Sequence, residues 1–150
     1  MAERPEPGPE PSNVPMSVAD IEDAFDLFDD WEDKYRFVID LGKELNALAP
    51  EHRDEAHLVR GCQSQVWLHA RNESNALSLS LDSDAHIVRG LISIVLAAYQ
   101  GKSPADALGY DIEGLFDRLA LLNHLSPTRG NGLRAMITRV REAAHQFAAG

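Results

Sequence analysis

Cysteine is nearly absent from the sequence: Cys62 is the only one in 150 residues. A lone thiol cannot close an intrachain disulfide, form a two-cysteine redox motif or supply a multi-cysteine zinc or iron–sulfur site. With no pair to oxidise, a reducing cytoplasm is the expected compartment. Long hydrophobic runs are also missing, and none reaches the length that spans a bilayer. Met1-Ala2-Glu3-Arg4-Pro5 lacks the basic-then-apolar layout of a secretory leader. Basic clusters are absent. The formal net charge is −10, with sixteen Asp/Glu against five Lys/Arg in residues 1–55, and eight against nine in residues 56–150. Neither nucleic acid nor an anionic membrane is expected as a partner. The acid-rich first third reads as a solvated face. There is no GxSxG, phosphate-cradling glycine loop or dinucleotide fingerprint. The six histidines show no HxH or HxxxH spacing. No cofactor and no metal are expected.

What is present suits one soluble domain: 44% hydrophobic and 25% charged residues over a length that buries a real core. Residues 1–16 form a Pro/Glu-rich stretch, with five of the eight prolines in the first fifteen positions and little that is apolar. Such a segment cannot offset its ordering entropy, so a disordered tail is expected, with the domain running over 17–150.

Helical periodicity begins after Ser17. Ser17 or Asp20 caps a first helix with Ile21, Ala24, Phe25 and Phe28 on one stripe. Asp29-Asp30 caps a second, from Trp31 to about Leu45, facing inward through Trp31, Tyr35, Val38, Leu41 and Leu45. Leu58-Val59 reads as a short strand. Gln63 to Arg71 alternates, Arg71–Asn75 reads as a hairpin loop, and Ala76 to Leu81 returns with Leu77, Leu79 and Leu81 inward. A helix from about Ala85 to Gln100 is apolar nearly all round, which marks the buried central one. Ser103-Pro104 opens a short helix, another runs from Asp111 or Ile112 to Leu122, and the last spans about Gly132 to Phe147. The fold class is α+β, a small three-stranded antiparallel sheet with helices packed over it.

Cys62 lies in Gly61-Cys62-Gln63-Ser64-Gln65-Val66-Trp67, at the mouth of the alternating strand. Three readings stand open: a buried structural thiol, a surface thiol without chemistry, or a nucleophile. The glycine and the polar Gln-Ser-Gln triplet suit a thiol presented at a loop tip, and suit an ordinary turn equally well. Asp82-Ser83-Asp84 reads first as a cap for the central helix, with acids near its positive end. Arg129 reads as a solvated residue ahead of the last helix.

Three blocks in order carry a family resemblance. Gly61–Trp67 is the first. Asp82-Ser83-Asp84-Ala85 with Ile87-Val88 and Gly90-Leu91 is the second. His124-Leu125-Ser126-Pro127-Thr128-Arg129 with Gly132-Leu133 and Ala135-Met136-Ile137 is the third. From about Ile21 to its end the chain resembles the SufE family, the sulfur acceptors of iron–sulfur cluster assembly. The resemblance implies the fold shared with IscU-type scaffolds and a persulfide-accepting role for Cys62. It also implies a SufS-like cysteine desulfurase as donor, stimulated by the acceptor, and a SufB-like scaffold as recipient. Pyridoxal phosphate would belong to the desulfurase. Gly61, Gln63, Ser64, Asp82, Asp84 and Arg129 would meet the partner. A CsdE-like acceptor serving another pathway, or an interaction module with a structural Cys62, are the alternatives.

Overall fold

In a computed structural model the described residues are 16–45, 51, 53–59 and 65–149. Residues 1–15, most of the expected tail, and residues 60–64, with Gly61, Cys62, Gln63 and Ser64, lie outside them.

Helix α1 (Val18–Leu27) starts where the Ser17 side chain accepts the Asp20 amide, and α2 (Trp31–Lys43) where Asp30 accepts that of Asp33. Such caps satisfy amides that have no partner within the helix. Phe25 meets Trp31 and Phe37 edge-on, which fixes α1 against α2. The hairpin follows: β1 (Val66–Glu73) pairs antiparallel with β2 (Ala76–Ser83) in the register Leu68–Leu81, Ala70–Leu79. Its turn is only Ser74-Asn75, both at positive φ, so the strands reach further into Arg71–Asn75 than expected. Two residues at positive φ match the twist of the flanking strands.

The expected third strand is not formed: the sheet has two strands among the described residues. Leu58 makes one isolated bridge to Trp67, and the Val59 amide donates to the Val66 carbonyl at 2.7 Å. Just before them the backbone coils into a 3₁₀ turn, Glu55–His57, capped by Asp54, so too little extended chain runs beside β1 to build a ladder. The far edge of β2 is closed differently. Gln100 brackets Leu79, accepting its amide at 2.6 Å and donating to its carbonyl at 2.8 Å, while Gly101 and Lys102 pair with Leu77. A covered edge offers no template for further pairing. Gly101, at φ +83°, provides the turn.

Helix α3 (His86–Tyr99) is the core, with Ile92, Ile94, Val95 and Leu96 fully buried against α2, β2, α1 and the last helix. It crosses α2 at Gly42 and Gly90, where backbone meets backbone. Ser103 caps α4 (Pro104–Gly109), as its Ser-Pro signal predicts. Helix α5 (Ile112–Leu119) stops three residues short of expectation because Ala120 turns left-handed, and a 3₁₀ turn, Leu122–His124, follows. Helix α6 (Pro127–Ala149) begins five residues earlier than expected. Ser126 accepts the Arg129 amide on its side chain and the Gly130 amide on its carbonyl, with Pro127 in the first turn.

Candidate functional site at the stem of the cysteine loop

Both ends of the segment that carries Cys62 are held. On the entry side Val59 is buried and tied to Val66. On the exit side the Gln65 peptide is clasped by the turn after β2. Its amide donates to Asp84 Oδ1 at 3.2 Å, and its carbonyl accepts the Ser83 hydroxyl at 2.7 Å and the Asp84 amide at 3.4 Å. Ser83 Oγ also accepts the Ala85 amide at 3.2 Å. The structure therefore brings Asp84 to the base of the cysteine loop, where it is exposed.

The acids of this turn do not cap α3. The capping position is Ala85, which has no side-chain bond to offer, while the three preceding side chains turn elsewhere. Asp82 is fully buried, and presents no surface to a partner. It faces Trp67 across the hairpin, and its carboxylate accepts Arg89 at 2.7 Å and pairs with Arg53. The same Arg89 donates to the carbonyls of Leu45 at 2.7 Å and Gly42 at 3.3 Å, at the C-terminal end of α2. Cations there complement the helix dipole and satisfy carbonyls the helix leaves open. Arg53 lies 5.0 Å over the Trp67 ring, in cation–π range.

Arg53 and Arg89 are the residues that reading the sequence missed. One signal was there to find them. Trp67 stands on the alternating strand's outer face, and a large ring in that position needs a cover.

Arg129 lies apart from this cluster in its contacts. It is exposed in the first turn of α6 and donates to the Tyr35 hydroxyl at 2.6 Å. Beside it Trp31 stacks on His124 at 3.9 Å, under Lys34 at 5.0 Å from the Trp31 ring.

A cleft of about 290 Å³ opens between β1 and α6, lined among others by His57, His69, Arg139, Glu142 and Phe147. Asp54, bonded to His57, has its carboxyl held below the usual range by that bond. Among the described residues no group of three or more His, Cys, Asp or Glu stands ready for a metal ion. No helix among them is long and apolar enough to cross a membrane.

Residues 19–144 match the family model SufE, described as an Fe-S metabolism associated domain. The chain belongs to the SufE family. Among curated relatives, an uncharacterised SufE-like protein of Rhizobium etli is 47% identical over 137 residues, covering 89% of this chain and 93% of its own. Another from Rhizobium meliloti is 44% identical over 132 residues, covering 85% and 94%. The solution structure of a hypothetical protein from Thermus thermophilus superposes with a TM-score of 0.73 at 19% identity, covering 91% of this chain and 99% of that one. That likeness speaks to the fold alone. The family model covers both flanks of the Cys62 segment and every element from α1 to most of α6, which ties this SufE domain to iron–sulfur metabolism.

Proposed function

We propose that this SufE-family chain accepts sulfane sulfur on Cys62 from a pyridoxal-phosphate-dependent, SufS-like cysteine desulfurase in the cytoplasm. The acceptor then hands the sulfur to a SufB-like iron–sulfur scaffold. The Cys62 thiolate attacks the outer sulfur of the partner's persulfide, the bond between the partner's two sulfurs breaks, and the partner's cysteine leaves as a thiolate. One persulfide is consumed and one is formed, so no oxidant or reductant is needed. Emptying the desulfurase in this way stimulates its next turnover. Pyridoxal phosphate stays with the partner.

The observation that supports this reading is the built stem beneath the family's cysteine motif. The only thiol of the chain stands in a short segment whose two ends are pinned at Val59–Val66 and at Gln65 with Ser83 and Asp84. Fixed flanks on both sides of a thiol suit its delivery to a partner's sulfur. With no second cysteine, nothing within the chain can attack the persulfide. Gly61, Gln63, Ser64, Asp84 and Arg129 are assigned to partner contact. Asp82 acts from beneath, by holding the stem.

The test is mass measurement. Incubated with a cysteine desulfurase and cysteine, the protein should gain sulfur on the Cys62 peptide, and Cys62→Ser should gain none. Full stimulation of sulfide release by Cys62→Ser in the absence of reductant would overturn the acceptor role.

A further inference from the structure

The two histidines nearest to the cysteine loop on either side in sequence meet in space. His57 sits in the 3₁₀ turn before the loop and His69 on β1 after it, and His69 Nδ1 lies 3.3 Å from His57 Nε2. His57 Nδ1 is 2.6 Å from Asp54 Oδ1, so the carboxylate fixes the ring with its proton on Nδ1 and leaves Nε2 as an electron-pair donor. Both rings line the cleft between β1 and α6.

We propose that His57 Nε2 and His69 Nδ1 form a clamp for a divalent first-row transition ion of the zinc type. Three observations combine. Two imidazole nitrogens binding zinc at about 2.0–2.1 Å in a tetrahedral shell stand about 3.3–3.4 Å apart, and these two already lie at that spacing. A carboxylate behind the ring, orienting it and fixing its tautomer, is the outer-shell partner that metal-binding histidines carry. A cleft gives the ion a way in and room for water at its remaining positions.

In the metal-free protein the pair is joined by a hydrogen bond from His69 Nδ1–H to His57 Nε2. Binding moves the His69 proton to Nε2, and two neutral rings then donate to the ion with no net proton released. No third described His, Cys, Asp or Glu completes the set, which makes this an exchangeable two-histidine clamp and not a closed structural site. Imidazole selects zinc, copper and nickel over magnesium. A bound ion would bridge the 3₁₀ turn and β1, the two segments that flank residues 60–64, and restrict how far they part.

The experiment titrates the full chain with zinc against a chromophoric indicator and follows the imidazole ¹⁵N resonances. One equivalent should bind, shifting His57 Nε2 and His69 Nδ1, whereas magnesium should shift neither. Cys62→Ser should keep the affinity within about twofold. His57→Gln and His69→Gln should each lose at least tenfold, and Asp54→Asn about tenfold. Melting temperatures of the variants, measured without zinc, separate lost ligands from lost folding. Imidazole resonances that one equivalent of zinc leaves in place would overturn the clamp, since that readout needs no variant. Binding that vanishes in Cys62→Ser but survives in His69→Gln would overturn it too, by placing the ion on the thiol.

Discussion

Helix propensity and packing make opposite predictions for Gly90→Ala, and the structure decides between them. Gly90 lies inside α3, where alanine is intrinsically better than glycine by about 1 kcal/mol. A Cβ built there, however, would stand 2.0 Å from the carbonyl oxygen of Val38 and 2.7 Å from its Cγ1. The first of these is backbone and cannot rotate away, so α2 and α3 must separate by about 1 Å or more along a contact that runs through the core. Overpacking of that kind costs about 3 kcal/mol, at the upper end of the usual range. The net loss is therefore about 2 kcal/mol, or about 6 °C in melting temperature for a domain of this size.

Urea and thermal unfolding of Gly90→Ala and Gly42→Ala should both show destabilisation. It should be smaller for Gly42, whose new Cβ would meet the Gly90 amide nitrogen at 2.7 Å and Arg89 at 3.0 Å. Gly109→Ala is the control. Nothing lies within 4 Å of its Cβ, and the loss of unfolded-state freedom should leave it unchanged or more stable by about 0.4–1 kcal/mol. A Gly90→Ala protein as stable as the parent would refute the close crossing, because propensity alone would then have prevailed.

Asp82→Asn should cost about 2–4 kcal/mol in urea unfolding, because it leaves Arg89 and Arg53 without their counter-charge, moderated by the partial exposure of both guanidiniums. An unchanged midpoint would show that the buried carboxylate contributes nothing. Tyr99→Phe should be neutral or stabilising by up to about 1 kcal/mol at neutral pH, since the buried Tyr99 hydroxyl finds no hydrogen-bond partner of good geometry among the described residues. Burial pushes the Tyr99 phenol above its ordinary 10.0, only partly opposed by the neighbouring Arg141. Its contribution is thus intact below about pH 10 and is lost as the pH climbs through the raised folded value. Above about pH 10 the parent should lose more stability than Tyr99→Phe as the pH rises. Equal alkaline losses would exclude a share for this phenol.

The elements most legible in the sequence are those whose burial is one-sided and regular. The Leu77–Leu79–Leu81 alternation gave β2 its inner face, and the all-round apolar run after Ala85 marked α3 as the central helix. Ends were harder. Ser-Pro signals a helix start at 103–104 and also opens α6 at 126–127, but there Gly130 and Gly132 interrupt the apolar periodicity just beyond it. Both glycines are buried within α6. Ala120 ends α5 by turning left-handed, a conformation its side chain does not advertise. The third strand failed for a reason outside local propensity. Leu58-Val59 is β-prone, but a strand needs a run of partners, and after the capped turn at Glu55–His57 only two described residues lie alongside. For the site, the cysteine motif was legible at once, while the ion pairs beneath it were not. Arg53, Asp82 and Arg89 meet only after the chain has folded back twice.

That buried cluster is an expensive way to hold a loop stem, and its connections explain why a carboxylate serves where a leucine would not. A leucine at position 82 would fill the space, and replacing buried ions by apolar groups is often neutral or stabilising. It would connect nothing, however. Asp82 draws Arg89 toward β2, and Arg89 reaches on to the carbonyls of Gly42, in the last turn of α2, and Leu45, just past its end. It draws Arg53 across Trp67, which carries residues 53–59 over the outer face of the hairpin and sets Leu58 and Val59 beside β1. Three chain segments distant in sequence thus converge on one carboxylate, immediately before the Ser83–Asp84 clasp on Gln65. The desolvation of one carboxylate secures both flanks of residues 60–64 together. Val59 and Gln65, the residues on either side of the segment that carries Cys62, are thereby tied to one frame.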